Sequence, residues 1–349
     1  MAKIGLIDVD RLRFKQRHQF PNLALMRISA WHKSQGDDVE WWQGNLFHYH
    51  IVYMSKVFSD SFSMTNFVEP KPYNCDEVIR GGTGYHIHLV NGKEVLDTEH
   101  HKNLPDYIEK MKPDYSIYPE YDFAVCMTSR GCPRGCFFCH VAPKEGRISH
   151  KVANVEDMWD GQHHIECLDP NITACKDKHE LFMQYKETKS IINFNQGLDI
   201  RMMNDQDIED LNSMWIKRVH MAWDNPKDDL EAKFRWWAKN YRRKSNRGTV
   251  YVLTNYDSTW EENMYRIKVI DSIGLEPFVT VYDKPHAPRE IITLQQWVNN
   301  KAIFHSTSFE DFVPNKVYYD NISEKKQKQK EAAKESGNSI AEQCSFDLF

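Results

Sequence analysis

The chain has 349 residues, of which 41% are hydrophobic and 27% charged, and its formal net charge is −5. These values are ordinary for a globular protein and give no overall attraction to nucleic acid or to an anionic membrane. No apolar run approaches the roughly 20 residues that cross a bilayer, and the polar N-terminus lacks the features of a signal peptide. We therefore expect a cytoplasmic protein without a membrane partner, long enough for one large α/β barrel or two ordinary domains.

A first region, residues 1–104, alternates short apolar runs with an amphipathic stretch. The periodicity of residues 22–35 predicts a helix. Three segments predict strands: the apolar runs 3–9 and 50–54, and residues 38–41 between them. Strands that alternate with helices favour a parallel sheet, so we predict an N-terminal Rossmann-like or flavodoxin-like α/β domain. A connector rich in Pro, Tyr and Asp follows at 105–120.

The second region, residues 121–285, places candidate strands at helix-sized intervals. Six runs predict strands: 123–127, 164–168, 190–194, 218–222, 249–253 and 277–281. Three amphipathic stretches between them predict helices: 205–215, 226–242 and 260–273. Six β/α units predict an incomplete TIM-like barrel, a partial (β/α)6 fold whose functional residues lie in the loops after each strand.

The C-terminal part changes character after the barrel. A C-terminal extension is expected at 286–322, and residues 323–349 form a polar tail rich in Lys, Gln and Glu. Such a composition is typical of a solvated helix or a disordered linker. The tail closes with the apolar peptide SFDLF, which begins at Ser345 and ends at Phe349. A short apolar peptide on a flexible linker is a common docking design.

The cysteines point to a metal site. Eight cysteines in 349 residues are too few for a disulfide scaffold, and clustered cysteines in a reducing compartment indicate metal or redox chemistry. Three crowd into the stretch RGCPRGCFFCH, spaced Cys132-x3-Cys136-x2-Cys139. Three thiolates at this spacing bind three irons of an iron–sulfur cube and leave the fourth iron open to a cofactor or substrate. The glycines and the proline favour the tight loop that such wrapping requires.

A structural zinc site is the alternative interpretation of this stretch. Structural zinc usually takes four ligands as two close pairs. The sequence has no second CxxC here, although Cys126 or His140 would complete a set of four. A redox CxxC formed by Cys136 and Cys139 alone would leave Cys132 unexplained. The spacing therefore favours an iron–sulfur cluster over zinc.

The stretch resembles the signature of the radical SAM superfamily, CxxxCxΦC, with Phe138 at the aromatic position. The resemblance spans about residues 122–283. It implies that Cys132, Cys136 and Cys139 hold a 4Fe–4S cluster at the start of a partial barrel. It further implies that the open iron chelates S-adenosylmethionine (SAM) and that an external electron donor of flavodoxin or ferredoxin type supplies one electron. Reductive cleavage of SAM then yields a 5′-deoxyadenosyl radical.

The resemblance also implies that polar residues at the strand ends contact SAM or the substrate. Together with the aromatic residue of the signature, the expected cofactor-binding residues are Phe138, Asp169, Asn171, Gln196, Arg201, Asp224 and Thr254. Two of them have simpler interpretations. Asp169 lies in an Asp-Pro-Asn turn that needs no ligand, and Arg201 is close in sequence to Asp199 and Asp205, with which it would form a salt bridge.

Two further resemblances concern the ends of the chain. Residues 1–104 resemble the cobalamin-binding-type domain that precedes the barrel in one radical SAM branch, but the DxHxxG element that ligates cobalt is missing, so we expect no cobalamin. The terminal SFDLF is similar to peptides that bind sliding clamps, with Ser345 where glutamine is usual. Clamp docking would favour a nucleic acid or nucleotide substrate. The alternative is a tail that folds back onto its own barrel.

Two hypotheses of different classes follow. The first is a radical SAM enzyme acting on an unidentified substrate. The second is a non-catalytic, metal-stabilised adaptor that docks on a sliding clamp. They differ in one property, because only the enzyme needs a redox-active cluster with an open iron.

Overall fold

The structure is a computed structural model that describes residues 1–15, 20–59, 67–90, 93–242 and 248–315, and residue 327. It forms two compact units, the first made of Met1–Pro170 with Cys175–Ser190 and the second of Asn171–Ala174 with Ile191–Phe349. The predicted tail with its terminal SFDLF peptide lies outside the described residues, apart from residue 327. The predicted domain boundaries stay a prediction.

The first unit alternates strands with short helices. Its elements in chain order are β1 (Lys3–Asp8), α1 (Val9–Phe14), α2 (Leu23–Ser34), β2 (Asp38–Trp41), β3 (Tyr49–Ser55), β4 (Cys75–Gly81), β5 (Ile87–Val90), β6 (Lys93–Leu96), α3 (Asp106–Glu109), β7 (Phe123–Cys126), β8 (Ser129–Arg130), α4 (Val141–Glu145), β9 (His150–Lys151), β10 (His164–Cys167) and α5 (Lys178–Glu187).

The second unit continues the alternation with longer helices. Its elements are β11 (Ile191–Phe194), α6 (Asp205–Ser213), β12 (Trp215–Arg218), β13 (His220–Ala222), α7 (Glu231–Asn240), β14 (Thr249–Thr254), α8 (Trp260–Ser272), β15 (Glu276–Val281), α9 (Arg289–Asn299) and α10 (Lys301–Phe304). Among the described ranges, no helix is both long and apolar enough to span a bilayer.

The N-terminal sheet has the order β2-β1-β3-β4, and all its pairs are parallel. This is the order in which flavodoxin-like folds begin. Strand β1 is buried along nearly its whole length, as a strand covered on both faces must be. Helix α2 begins where the Asn22 side chain accepts a hydrogen bond from the backbone N–H of Leu25. The prediction of a parallel α/β arrangement is confirmed for this region.

The strands predicted for the barrel also pair in parallel. In the first unit β7 pairs with β10, and in the second unit β11 pairs with β12 while β13, β14 and β15 form a sheet. One predicted element is wrong, because the single strand at 218–222 is two strands that meet at Val219. β12 pairs with β11 but β13 pairs with β14, so the chain changes partner at this buried residue. The closed six-stranded barrel stays a prediction.

A second boundary was also predicted wrongly. The helix expected at 226–242 begins only at Glu231. The Asn225 side chain accepts a hydrogen bond from the backbone N–H of Lys227 at 3.0 Å, which forms a local turn around Pro226 in place of a first helical turn.

Candidate functional site

The cysteine loop, residues 131–140, follows the short strand β8. Its three cysteines are half-buried. Gly131 opens the loop at φ +87°, and a Cβ at this position would stand 2.1 Å from the backbone oxygen of Ile148. The backbone N–H of Cys132 donates to the oxygen of Gly146 at 3.1 Å. Backbone contacts that only glycine permits therefore fix the first turn of the loop.

Buried charges hold the residue that precedes the loop. Arg130 forms ion pairs with Glu109 and Glu145, and Arg27 pairs with the same Glu109. Arg27 and the side chain of Glu145 are almost fully buried. Burial lowers the pKa of Arg27, and Glu109 opposes that shift. Because a buried ion pair is costly to break by removing one partner, this network gives the start of the loop a defined position.

Asp169 holds the segment in front of the cysteine loop. Asp169 is 3% exposed. One carboxylate oxygen accepts hydrogen bonds from the backbone N–H of Ser129 and, at 2.8 Å each, from the hydroxyls of Ser129 and Thr128. The other accepts from the Tyr185 hydroxyl at 3.4 Å. Burial raises the pKa of Asp169, and the hydrogen bonds from Thr128 and Ser129 oppose this rise. Both oxygens are engaged within the chain, and a contact of Asp169 with SAM stays a prediction.

The zinc alternative gains no fourth ligand from Cys126. That thiol is fully buried at the end of β7, and burial raises its pKa, which disfavours the thiolate that binds metal. His140, the other candidate, has its Nε2 3.6 Å from Glu94.

The donor set itself suits an iron–sulfur cluster. Cys132, Cys136 and Cys139 are three thiols of one half-exposed loop, and a cube with an open iron needs three thiolates from the protein. Within the described residues, no three His, Cys, Asp or Glu side chains are gathered into a metal-binding arrangement. The residues fit the cluster by their chemistry, and loading would draw the three sulfurs together.

In the second unit, Arg201 lies between two carboxylates. Its Nε donates to Asp199 at 2.6 Å and its Nη1 to Asp228 at 2.7 Å. The amide of Asn171 donates to the other oxygen of Asp199 at 3.4 Å. The structure thus joins Asn171 and Arg201, both predicted, through Asp199. The simpler interpretation of Arg201 as a salt-bridge residue is the one that the geometry shows. Asp228 was missed, because nothing in the sequence marks its pairing with a residue 27 positions away.

Arg266 is a second residue that the sequence did not reveal. It is 1% exposed, and its guanidinium donates to the backbone oxygens of Trp223, Asp224 and Leu253 and to the Asn263 side chain, at 2.6 to 3.1 Å. Burial lowers its pKa to about 10, so it is charged at neutral pH. The ends of β13 and β14 are therefore tied to helix α8 by one cation.

Asp224, predicted to contact SAM, lies directly after β13. Burial raises the pKa of its carboxyl to about 6, and the charges of Arg201 and Arg266 limit the rise. A carboxyl that titrates near neutral pH is suited to proton exchange.

The other predicted residues differ in their surroundings. Thr254 is fully buried, and its hydroxyl donates to the backbone oxygen of Thr280 at 3.0 Å. Gln196 is exposed, and Phe138 is half-buried in the cysteine loop. Their roles in binding SAM stay predictions.

The carboxyl edge of the N-terminal sheet is occupied by its own side chains. Asp8 and Asp10 are both buried. Asp8 accepts hydrogen bonds from the backbone N–H of Arg11 and, at 2.6 Å, from the Tyr118 hydroxyl. Asp10 accepts from the backbone N–H of Val57, also at 2.6 Å. This edge is where flavodoxin-like domains bind ligands. Both oxygens of Asp8 and Oδ2 of Asp10 are engaged within the chain, whereas Oδ1 of Asp10 is buried without a hydrogen-bond partner among the described residues.

Comparisons with known proteins agree with this architecture. No protein-family model matches the chain, and no curated protein matches it in sequence. Among solved structures, the chain is similar to a radical S-adenosylmethionine methyltransferase, TsrM, from Kitasatospora setae, with a TM-score of 0.58 and 10% sequence identity. The match covers 84% of this chain and 78% of that chain. The chain therefore has a radical SAM-like fold, mixed α/β with parallel sheets.

The TsrM structure was solved with cobalamin and a 4Fe–4S cluster bound. The expectation that the present chain works without cobalamin gains no support from this neighbour and is mildly at odds with it.

Proposed function

We propose that the chain is a radical SAM enzyme that binds a 4Fe–4S cluster through Cys132, Cys136 and Cys139 and cleaves SAM reductively. One observation carries the proposal: three half-exposed thiols with the spacing of the superfamily signature lie in the loop after β8, a few residues past the end of the parallel strand β7, in a radical SAM-like fold. The loop lies past the carboxyl end of β7, the edge at which such α/β folds place their chemistry.

The chain's own residues prepare the site. When bound, the cluster would supply one electron to SAM. An external donor of flavodoxin or ferredoxin type would then reduce the cluster again. Arg130 and Asp169 hold the backbone in front of the loop, so that the thiolates are presented from a fixed base. Gly131 lets the loop turn close to Ile148. In the second unit, Asp224 is poised to exchange a proton at near-neutral pH.

The remaining roles belong to the same proposal. We assign SAM contacts to Phe138, Asn171, Gln196, Arg201 and Thr254 as the superfamily resemblance implies. The terminal SFDLF peptide, which lies outside the described residues, is proposed as a sliding-clamp ligand.

The test is anaerobic. The protein is reconstituted with iron and sulfide, reduced with dithionite and given SAM, and 5′-deoxyadenosine is quantified. We expect deoxyadenosine from the wild type and none from Cys136→Ala. Cys75→Ala is the matched control, because Cys75 is also half-buried but lies in β4, and it should keep wild-type activity.

Stoichiometric zinc with no deoxyadenosine would contradict the proposal and favour the metal-stabilised adaptor. Loss of activity in Cys75→Ala as well as in Cys136→Ala would remove the assignment of the cluster to the cysteine loop.

A further inference from the structure

The segment around the cysteine loop has a charge opposite to that of the whole chain. Residues 128–153 contain five Lys or Arg side chains and one acidic residue, Glu145, in a chain of net charge −5. Glu145 is buried and paired with Arg130, so it offers no negative charge to solvent. Three of the five basic side chains pair with carboxylates: Arg130 with Glu109 and Glu145, Lys144 with Glu145, and Lys151 with Glu180. The other two, Arg134 and Arg147, are exposed, and exposed guanidinium groups attract polyanions within about a Debye length whatever the net charge of the protein.

Four of the exposed side chains of this segment are named here the cysteine-loop face: Arg134, Phe137, Arg147 and Ile148. Phe137 is 69% exposed and Ile148 is 76% exposed. Both arginines are exposed as well. Exposing an aromatic ring to water is unfavourable, so a ligand that covers the ring of Phe137 would gain free energy from removing it from water.

Arg147 lies directly on the cysteine loop. Its Nη1 is 2.6 Å from the place that a Cβ on Gly135 would take, and its Nη2 is 2.9 Å from the same point. Within the described ranges it forms no ion pair with a carboxylate. A guanidinium held against the backbone between Cys132 and Cys136, with no carboxylate paired to it among the described residues, is ready to bind an anion from outside.

We propose that the cysteine-loop face binds single-stranded nucleic acid, with guanidinium groups on phosphates and a base stacked on Phe137. This proposal rests on the proposed function, and it makes a polynucleotide the substrate class of that reaction. Arginine forks match phosphate oxygens, and an exposed ring stacks any unpaired base. An acidic protein partner fits less well, because stable protein interfaces bury roughly 1,200 Å² or more around an apolar centre, whereas here two apolar side chains are flanked by arginines.

The experiment uses the full chain with its cluster reconstituted and a fluorescein-labelled single-stranded DNA of about 20 nucleotides. Fluorescence anisotropy gives Kd across a salt series. The double variant Arg134→Gln/Arg147→Gln should bind at least tenfold more weakly, and the slope of log K against log salt should fall by about 1.4, since each single-strand phosphate contact contributes roughly 0.7. Phe137→Leu should weaken binding roughly tenfold at every salt concentration, as expected for a lost stacking contact.

Arg235→Gln and Tyr107→Leu are the matched controls, because both side chains are exposed and lie outside the segment. They should bind as the wild type does, and iron content and circular dichroism should show all variants folded and loaded. Equal affinity and salt slope in the wild type and the double arginine variant would overturn the proposal. The proposal would also be overturned by variants that bind the oligonucleotide as the wild type does but no longer bind a flavodoxin-type protein. That result would assign the cysteine-loop face to an acidic protein instead.

Deoxyadenosine is measured in the same preparations to separate the two proposals. Deoxyadenosine formation without oligonucleotide binding would defeat the nucleic acid proposal and leave the radical SAM proposal standing. Oligonucleotide binding that depends on the face, without deoxyadenosine, would support the binding site and defeat the enzymatic function.

Discussion

Two strand ends in this molecule are held by buried charges of opposite sign. Past β7, the carboxylate of Asp169 collects a backbone N–H and two hydroxyls of Thr128 and Ser129. Past β13 and β14, the guanidinium of Arg266 collects backbone oxygens. Where a strand leaves its sheet, backbone groups lose their ladder partners and need others. The sign of the buried charge follows from which groups are left, N–H in the first case and C=O in the second.

The two buried side chains differ in whether another amino acid could take their place. A carboxylate has a neutral counterpart of nearly the same shape, the amide of Asn, whose oxygen still accepts. A guanidinium has no neutral counterpart with five donors in a plane. We therefore expect the strand ends held by Arg266 to be less tolerant of substitution than the segment held by Asp169.

The largest effect is expected for Arg266→Met, which removes the donors but keeps much of the side-chain volume. Several buried carbonyls would lose their partner, at a cost of about 3–5 kcal/mol in the free energy of unfolding. Arg266→Lys should recover less than half, since one ammonium cannot reach all the acceptors. Guanidinium chloride unfolding measures both, with exposed Arg235→Met as control. A loss below 1 kcal/mol would show that the carbonyls find other partners.

The next effect concerns Asp169. Asp169→Ala should cost about 3 kcal/mol, because three donors of Thr128 and Ser129 lose their acceptor inside the protein. Asp169→Asn should cost clearly less. The exposed Asp160→Ala serves as control. Iron bound per chain after reconstitution is the second readout, and it should fall in Asp169→Ala. If Asn and Ala were equally damaging, the charge rather than the acceptor would be what matters.

The backbone fit of the cysteine loop gives a third contrast. Gly131 and Gly146 have nearly the same φ, +87° and +88°, but a Cβ would meet Ile148 only at Gly131. Gly146→Ala should cost about 1 kcal/mol from its positive φ alone, and Gly131→Ala about 1–2 kcal/mol more from the clash. Thermal unfolding and iron content measure the difference. Equal losses would mean that the loop yields to the added methyl group.

The remaining effect is a pH dependence in the second unit. The pKa of Asp224 is raised from 3.8 to about 6 in the folded chain, so ionising it opposes folding. Its unfavourable contribution is absent below about pH 4, grows as the pH rises, and is complete above about pH 6. Asp224→Asn should match the wild type in stability at pH 4 and exceed it by up to about 3 kcal/mol at pH 7. A difference that does not change with pH would contradict the shifted pKa.

The sequence predicted those elements whose apolar pattern lies entirely within the element. Strands β1, β3 and β14 and helix α2 fall within a residue or two of their expected bounds, because each carries a continuous apolar pattern. The split at Val219 was not predictable in the same way. Residues 218–222 contain nothing that marks a break, and only the pairing with two different neighbours divides them.

The candidate site shows the same division between local and distant information. The cysteine loop was predictable because its three thiols lie within eight residues. The partners of Asp169 are 40 and 41 positions away in the chain, and those of Arg266 include a carbonyl 43 positions away. Spacing in sequence carries no sign of such contacts, so Arg266 and the partners of Asp169 were missed, although Asp169 itself was among the predicted residues. The assignment of the three cysteines to a cluster stays a prediction.

The burial of Cys126 and Cys167 has a consequence for how the protein is oxidised in air. Both thiols are fully buried with raised pKa values, so oxidants that act on exposed thiolates reach them slowly. The cysteines of the cysteine loop are half-exposed. Oxygen and peroxide would therefore convert Cys132, Cys136 and Cys139 to sulfenic and sulfinic acids while the core thiols survive. A preparation handled aerobically would keep its fold and circular dichroism yet be chemically unable to accept iron.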